Sequence, residues 1–231
     1  AARGNERSAA RGAGQRVARA AKASAILGLA VALFFGARWH LAQPLSEDVF
    51  AAERATVVRA ALPDGTRMEL APGTRVAAAM YRDRRVLRLE AGEARFEVAP
   101  DAARELRVET RAGPVRVIGT VFTVRDRAGE VLVAVERGRV AFAGVELRAG
   151  DQVRVADGRA GTVRKVPPAR MAPWRSGWLV FENVPLAAAL EELNAWRTEP
   201  LVLGDADAGR ARLTASFRTD DPHAVLRMLP R

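Results

Sequence analysis

"RVLRLEAGEARFEVAPD", residues Arg85–Asp101, decides the fold class of this chain. In "RVLRLE" and again in "RFEVA" apolar and charged residues alternate, with Val86, Leu87 and Leu89 and then Phe96 and Val98 supplying the apolar set. A period of two is that of a strand with one face buried and the other wet. Outward from this stretch the pattern repeats between turn signals: Asp64-Gly65, Pro72-Gly73, Ala91-Gly92, Ala112-Gly113, Ala128-Gly129, Arg137-Gly138, Ala149-Gly150 and Asp157-Gly158. About a dozen short strands over 56–166, with no helix among them, predict an all-β domain, either a sandwich or a solenoid-like stack. The chain as a whole reads as mainly β.

"VIGTVFTV", Val117–Val124, reads as one strand with Gly119 inside it. A glycine in a strand marks a bulge or a close backbone approach. The Gly119-Thr120 bond also has a chemical reading, because the Thr120 hydroxyl lies next to the Gly119 carbonyl it would attack. Conventional catalysis has little to work with. There are no cysteines, and the two histidines, His40 and His223, stand far apart in sequence. No nucleotide-binding glycine motif or nucleophile elbow occurs. Asp64, Glu93, Asp101 and Asp126 read as isolated carboxylates in solvated or turn-capping roles. "YRDRR", Tyr81–Arg85, reads as a solvated hairpin tip. No cofactor or metal site is expected, and the protein is not expected to be an enzyme.

The net charge of +10 is unevenly spread. Residues 1–22 carry Arg3, Arg7, Arg11, Arg16, Arg19 and Lys22 against Glu6. An uncharged run, Ala23–Ala37, comes next, and then Arg38-Trp39-His40. Fifteen residues of helix rise only about 22 Å against a hydrocarbon core of about 30 Å. With Lys22 and Arg38 snorkelling and Trp39 at the interface, residues 23–43 are expected to form a single transmembrane helix, ended by Pro44. The basic tail 1–22 is then cytoplasmic. A cleaved signal peptide fits the same charge and apolar pattern. Both readings export the C-terminal part of the chain, so nucleic acid is not an expected partner.

Pro167-Pro168 and Pro173 interrupt the strand pattern, and a second domain is expected over 174–231. "WLVFEN" reads as a strand; Leu186, Ala189, Leu190, Leu193 and Trp196 share one face of a helix capped by Asn183. "PLVL", Pro200–Leu203, and "ARLTASF", Ala211–Phe217, read as strands, and a second helix opens at Asp221-Pro222. The order β-α-β-β-α is that of a small α+β domain.

Together, "LPDGTRMELAPGTRV" (Leu62–Val76), Arg85–Asp101, "VRVIGTVFTVRD" (Val115–Asp126), "VAVERGRV" (Val133–Val140) and "LRAGDQV" (Leu147–Val153) resemble the periplasmic domain of FecR-type regulators. "WRSGWLVFENVPLAAALEELN", Trp174–Asn194, resembles the start of the short N-terminal domain of secretins and TonB-dependent transporters. The resemblance implies a single-pass protein of the bacterial inner membrane with its C-terminal domains in the periplasm. It would relay a signal from the signalling domain of a TonB-dependent transporter to an extracytoplasmic-function sigma factor, regulating genes of the iron-uptake type. An exported structural β-domain without sigma regulation is the other reading. Some members of that family cut themselves at a Gly-Thr bond, and the matching pair is Gly119-Thr120. The strand Ala211, Arg212, Leu213, Thr214, Ala215, Ser216, Phe217 is the expected partner edge, because strand addition uses main-chain groups that a sheet lacking its last strand leaves free.

Overall fold

A computed structural model describes residues 28–205 and 207–221. Residues 28–42 form a helix, α1, on which Leu29, Leu33, Phe34, Phe35 and Trp39 are all well exposed. The start of the expected membrane span, residues 23–27, lies outside the described residues, as do the basic tail 1–22 and the expected last helix beyond Asp221. No helix among the described residues is long and apolar enough to cross a membrane. Residues 1–44 form one unit and residues 45–231 a second.

The second unit begins with fourteen strands: β1 Ser46–Ala52, β2 Val58–Ala61, β3 Arg67–Leu70, β4 Thr74–Met80, β5 Arg85–Glu97, β6 Leu106–Thr110, β7 Gly113–Val117, β8 Val121–Arg127, β9 Glu130–Arg137, β10 Arg139–Phe142, β11 Val145–Arg148, β12 Asp151–Ala156, β13 Arg159–Ala160 and β14 Arg164–Lys165. They make two layers. The first runs β1-β4-β5-β6-β7-β10-β11, and the second β2-β3-β5-β8-β9-β12, with β13 and β14 both on β12. Among these pairs only β5 and β6 are parallel. Leu87, Val108 and Val115 from one layer meet Phe96, Phe122 and Val133 from the other in one core. The stacked rings of Phe96 and Phe122, 5.3 Å apart, belong to it. Of the two architectures the sequence allows, the layered one is present. Strand β1, which the turn pattern does not announce, owes its place to seven consecutive pairs with β4.

The thirteen-residue β5 belongs to both layers. Arg85–Arg88 pair with β6, and Gly92–Glu97 with β8. Between them the register against β4 shifts: Val76 faces Leu89 but Arg75 faces Ala91, so Glu90 is an extra residue. Such a bulge bends a strand and flips which residues face inward. Leu87 and Leu89 are buried before it, Ala94 and Phe96 after it. Gly92 makes the bend possible. It stands at φ +98°, and any Cβ there would run into Thr74. Thr74 Oγ1 donates to the Glu93 carbonyl and accepts from the Glu93 N–H, both at 3.0 Å.

A buried Arg85 closes the opposite end of β5. Its side chain is fully enclosed; Nη1 donates to Asp64 Oδ2 at 2.8 Å and to the Ala99 carbonyl at 2.9 Å, and Nε to the Arg104 carbonyl at 3.0 Å. Burial opposes the Asp64 charge, yet hydrogen bonds from Arg85 and Thr66 hold its pKa below the ordinary carboxylate range. The hairpin tip expected at Tyr81–Arg85 is therefore shorter than the sequence suggests: Tyr81 to Arg84 form it, with Arg84 over the Tyr81 ring.

After two 3-10 turns at Pro168–Arg170 and Pro173–Ser176 come β15 Trp178–Pro185, helix α2 Leu186–Ala195 and β16 Arg212–Arg218. Leu186, Ala189, Leu190 and Leu193 are buried as the periodicity requires. Pro200–Leu203 is not a strand. The Asn194 side chain takes both main-chain groups of Leu201, at 2.7 and 2.8 Å, which denies them to a sheet. Asn183 does not cap α2; it sits at φ +53° in a bulge of β15. The sheet is therefore a β15-β16 ribbon among the described residues.

Gly92→Ala is expected to cost roughly 2–4 kcal/mol, since it adds both left-handed strain and a backbone clash. Urea unfolding beside wild type checks this; an unchanged midpoint refutes the role given to the bend.

Candidate functional site at the junction of the sandwich and its C-terminal segment

Gly119 lies between strands, not inside one. Val117 ends β7 and Val121 begins β8, so "VIGTVFTV" is two strands joined at the crossing from one layer to the other. The register shift nearby falls at Val121/Phe122. Gly119 has no left-handed backbone; it is needed because a Cβ would meet Pro100 at 2.9 Å. Close approach, not a bulge, explains the residue. Thr120 is buried, and its Oγ1 donates to the Arg139 carbonyl at 2.9 Å. The Thr120 carbonyl accepts from Val98 N–H and the Ile118 carbonyl from Asp101 N–H. The bond is thus clamped on both sides.

The expected partner strand is present one residue later, as Arg212–Arg218. Phe217 is buried against Phe181, with Leu213 and Ala215 packed partly against the same cluster. Arg212, Thr214, Ser216 and Arg218 are exposed. One edge of β16 pairs with β15, and the other meets no strand among the described residues.

The most unusual chemistry lies where neither expectation pointed. The C-terminal segment packs on the outer face of the second layer, and Glu93 is trapped beneath it. Only 6% exposed, Glu93 accepts a hydrogen bond from Trp174 Nε1 at 2.8 Å. Burial pushes its pKa up to about 7, opposed by the charge of Arg125, reinforced by Glu192, and opposed again by the Trp174 hydrogen bond and Arg127. Arg125 reaches across to Glu192 on α2 at 3.4 Å, and Arg127 Nη2 donates to the Pro72 carbonyl at 2.6 Å. Arg175 adds a two-pronged pair with Glu69. Glu93 is therefore not solvated. Neither is Asp126, which is buried beside Arg111 and accepts from its N–H. Asp101 does cap a turn, accepting from the N–H groups of Ala103 and Arg104. The sequence carries one signal for this covered face: Val131–Val135 is an unbroken apolar run, and all five residues are buried. A strand wet on one side alternates; one covered on both does not.

The junction combines buried carboxylates, guanidinium groups and indole rings, an arrangement suited to holding two parts of a protein together with a proton-dependent strength. Among the described residues no group of His, Asp and Glu is placed to hold a metal ion.

Because burial raises the Glu93 pKa, its neutral form is the one the fold favours. The stability it contributes is complete below the unfolded value, about 4.3, and is lost as pH rises through about 7. Glu93→Gln keeps an acceptor for Trp174 and removes the proton. The variant is expected to match wild type at pH 5 and to exceed it by roughly 1–3 kcal/mol at pH 8.5. Thermal unfolding at both pH values reads this; parallel pH profiles rule the assignment out. Thr120→Val, which leaves the Arg139 carbonyl without its donor, is expected to cost about 1–2 kcal/mol in the same assay.

Residues 48–141 match the family model described as FecR protein. No curated protein gives a significant match. Two crystal structures, at 2.50 and 1.65 Å, of a candidate anti-sigma factor from Parabacteroides distasonis share the fold. Each is 22% identical with a TM-score of 0.66; the first covers 79% of this chain and 90% of its own, the second 78% and 89%. At that identity the likeness concerns the fold. The matched residues run from within β1 into β10, so they take in the bent β5 and its partners in both layers. Over residues 48–141 the chain is similar to FecR proteins.

Proposed function

We propose that this protein is a single-pass regulator of the bacterial inner membrane that relays a periplasmic signal to an extracytoplasmic-function sigma factor. The observation that carries the reading is the FecR-like domain, set between a basic, apolar N-terminal stretch and a C-terminal β-α-β segment. The folds of the candidate anti-sigma factor structures support it. The exposed apolar side chains of α1 favour a membrane anchor, with the basic residues 1–22 on the cytoplasmic side. The signal comes from the signalling domain of a TonB-dependent transporter, an assignment that makes the regulated genes those of iron uptake. The outer edge of β16, Arg212–Arg218, is where that domain adds.

Two measurements test this. Alkaline phosphatase fused after residue 166 is expected to be active and fused within residues 1–22 inactive, as for an N-terminus held inside. The full chain is expected to co-purify with a sigma factor encoded beside it and with the signalling domain of a neighbouring transporter. A correctly oriented chain that binds neither is instead an exported structural β-domain without sigma regulation.

A further inference from the structure

Between β15 and the outer face of the second layer lies a cleft of about 530 Å³, within the size range of ligand sites. One of its walls is β15 itself. Every residue from Trp178 to Pro185 lines it, on both faces of the strand, so the edge turned away from β16 borders the cleft. Among the described residues no strand pairs with that edge. About half the main-chain groups of an edge strand point away from its single partner and are open to another chain.

The side chains around this edge set the sign of what fits. Seven cationic and four carboxylate side chains line the cleft. Four of the cations are answered: Arg125 by Glu192, Arg154 by Glu130 at 3.1 Å, Lys165 by Asp151 at 2.7 Å and Arg170 by Glu182 at 3.3 Å. Three are not. Arg127 gives Nη2 to a carbonyl and keeps a buried Nε with no acceptor. Arg212 gives Nη1 to the Asn183 carbonyl, and the exposed Arg164 side chain has no partner among the described residues. The stretches of sequence on either side of the described residues carry the same sign as the cleft: residues 222–231 contain Arg227 and Arg231 and no Asp or Glu, and residues 1–22 hold six basic residues against one acid. Neither complements it.

We propose that this cleft docks an extended acidic peptide of a partner protein, which adds as a strand to the free edge of β15 and sets carboxylates against Arg127, Arg164 and Arg212. Main-chain pairing supplies the register and the unanswered guanidinium groups select the charge. The site is distinct from the outer edge of β16 and does not depend on the regulator reading.

The probe is fluorescein-labelled TEVDVEVT-amide, titrated with the full chain at pH 6, where Glu93 is neutral and leaves Arg127 unanswered, and followed by polarisation. Saturable binding is expected, and the lysine counterpart TKVKVKVT-amide is expected not to bind. The double variant Arg164→Glu/Arg212→Glu changes two exposed side chains and is expected to weaken binding at least tenfold while leaving the circular dichroism unchanged. Of two peptides N-methylated on alternate amides, one is expected to lose at least tenfold, because only one set faces β15. No binding by the acidic peptide, equal binding by the variant, or full binding by both methylated peptides overturns the proposal.

Discussion

Everything in the sandwich hangs on the two hydrogen bonds between Thr74 and Glu93 across the bend in β5. Each is worth about 1 kcal/mol net, less than the burial of a single core phenylalanine. Their importance is geometric. They hold Gly92 in a conformation that switches the inward side of β5 from odd to even residues, and so allow one strand to serve two layers. Without the switch, Ala94 and Phe96 would turn away from the core that Leu87 and Leu89 face. The Arg85 side chain does the corresponding work at the other end, tying β5 to the loops through Ala99, Arg104 and Asp64.

The same bend prepares the junction. Reversing the inward side sends Glu93 to the outer face of the second layer, where the C-terminal segment covers it with Trp174. An ionised carboxylate in such a place costs several kcal/mol, so the neutral form prevails until pH rises to about 7. The contact between the sandwich and its C-terminal segment is thereby tied to a proton. Thr74 and Glu93 serve both the bend inside the sandwich and the seat of its neighbour.

Much of this is legible along the chain, and the misreadings have local causes. Alternation and glycine turns announce an all-β domain without choosing between a sandwich and a solenoid-like stack, and the stripe of Leu186, Ala189, Leu190 and Leu193 announces α2. Pro200–Leu203 looks like a strand by composition, but the Asn194 side chain takes both main-chain groups of Leu201, a contact no propensity reports. Val117–Val124 looks like one strand because its apolar residues run on through the connection between layers. Gly119 looks like a strand irregularity from its chain neighbours, when Pro100 is what demands it. Glu93 is indistinguishable in sequence from the solvated carboxylates around it. The parity change from Leu87 and Leu89 to Phe96 and Val98 is the one trace of the bend, and the apolar run Val131–Val135 the one trace of the cover.

By itself, the sequence determined the strand-rich class, the turns between many of the strands and the apolar stripe of α2, because those depend on side-chain period and turn residues that act within a few positions. The tertiary structure alone decided that two layers share β5, that Gly119 is pressed against Pro100 and that Glu93 lies beneath Trp174. These are meetings of residues 19 to 81 positions apart, and burial, strain and proton affinity there depend on which surfaces come together in space.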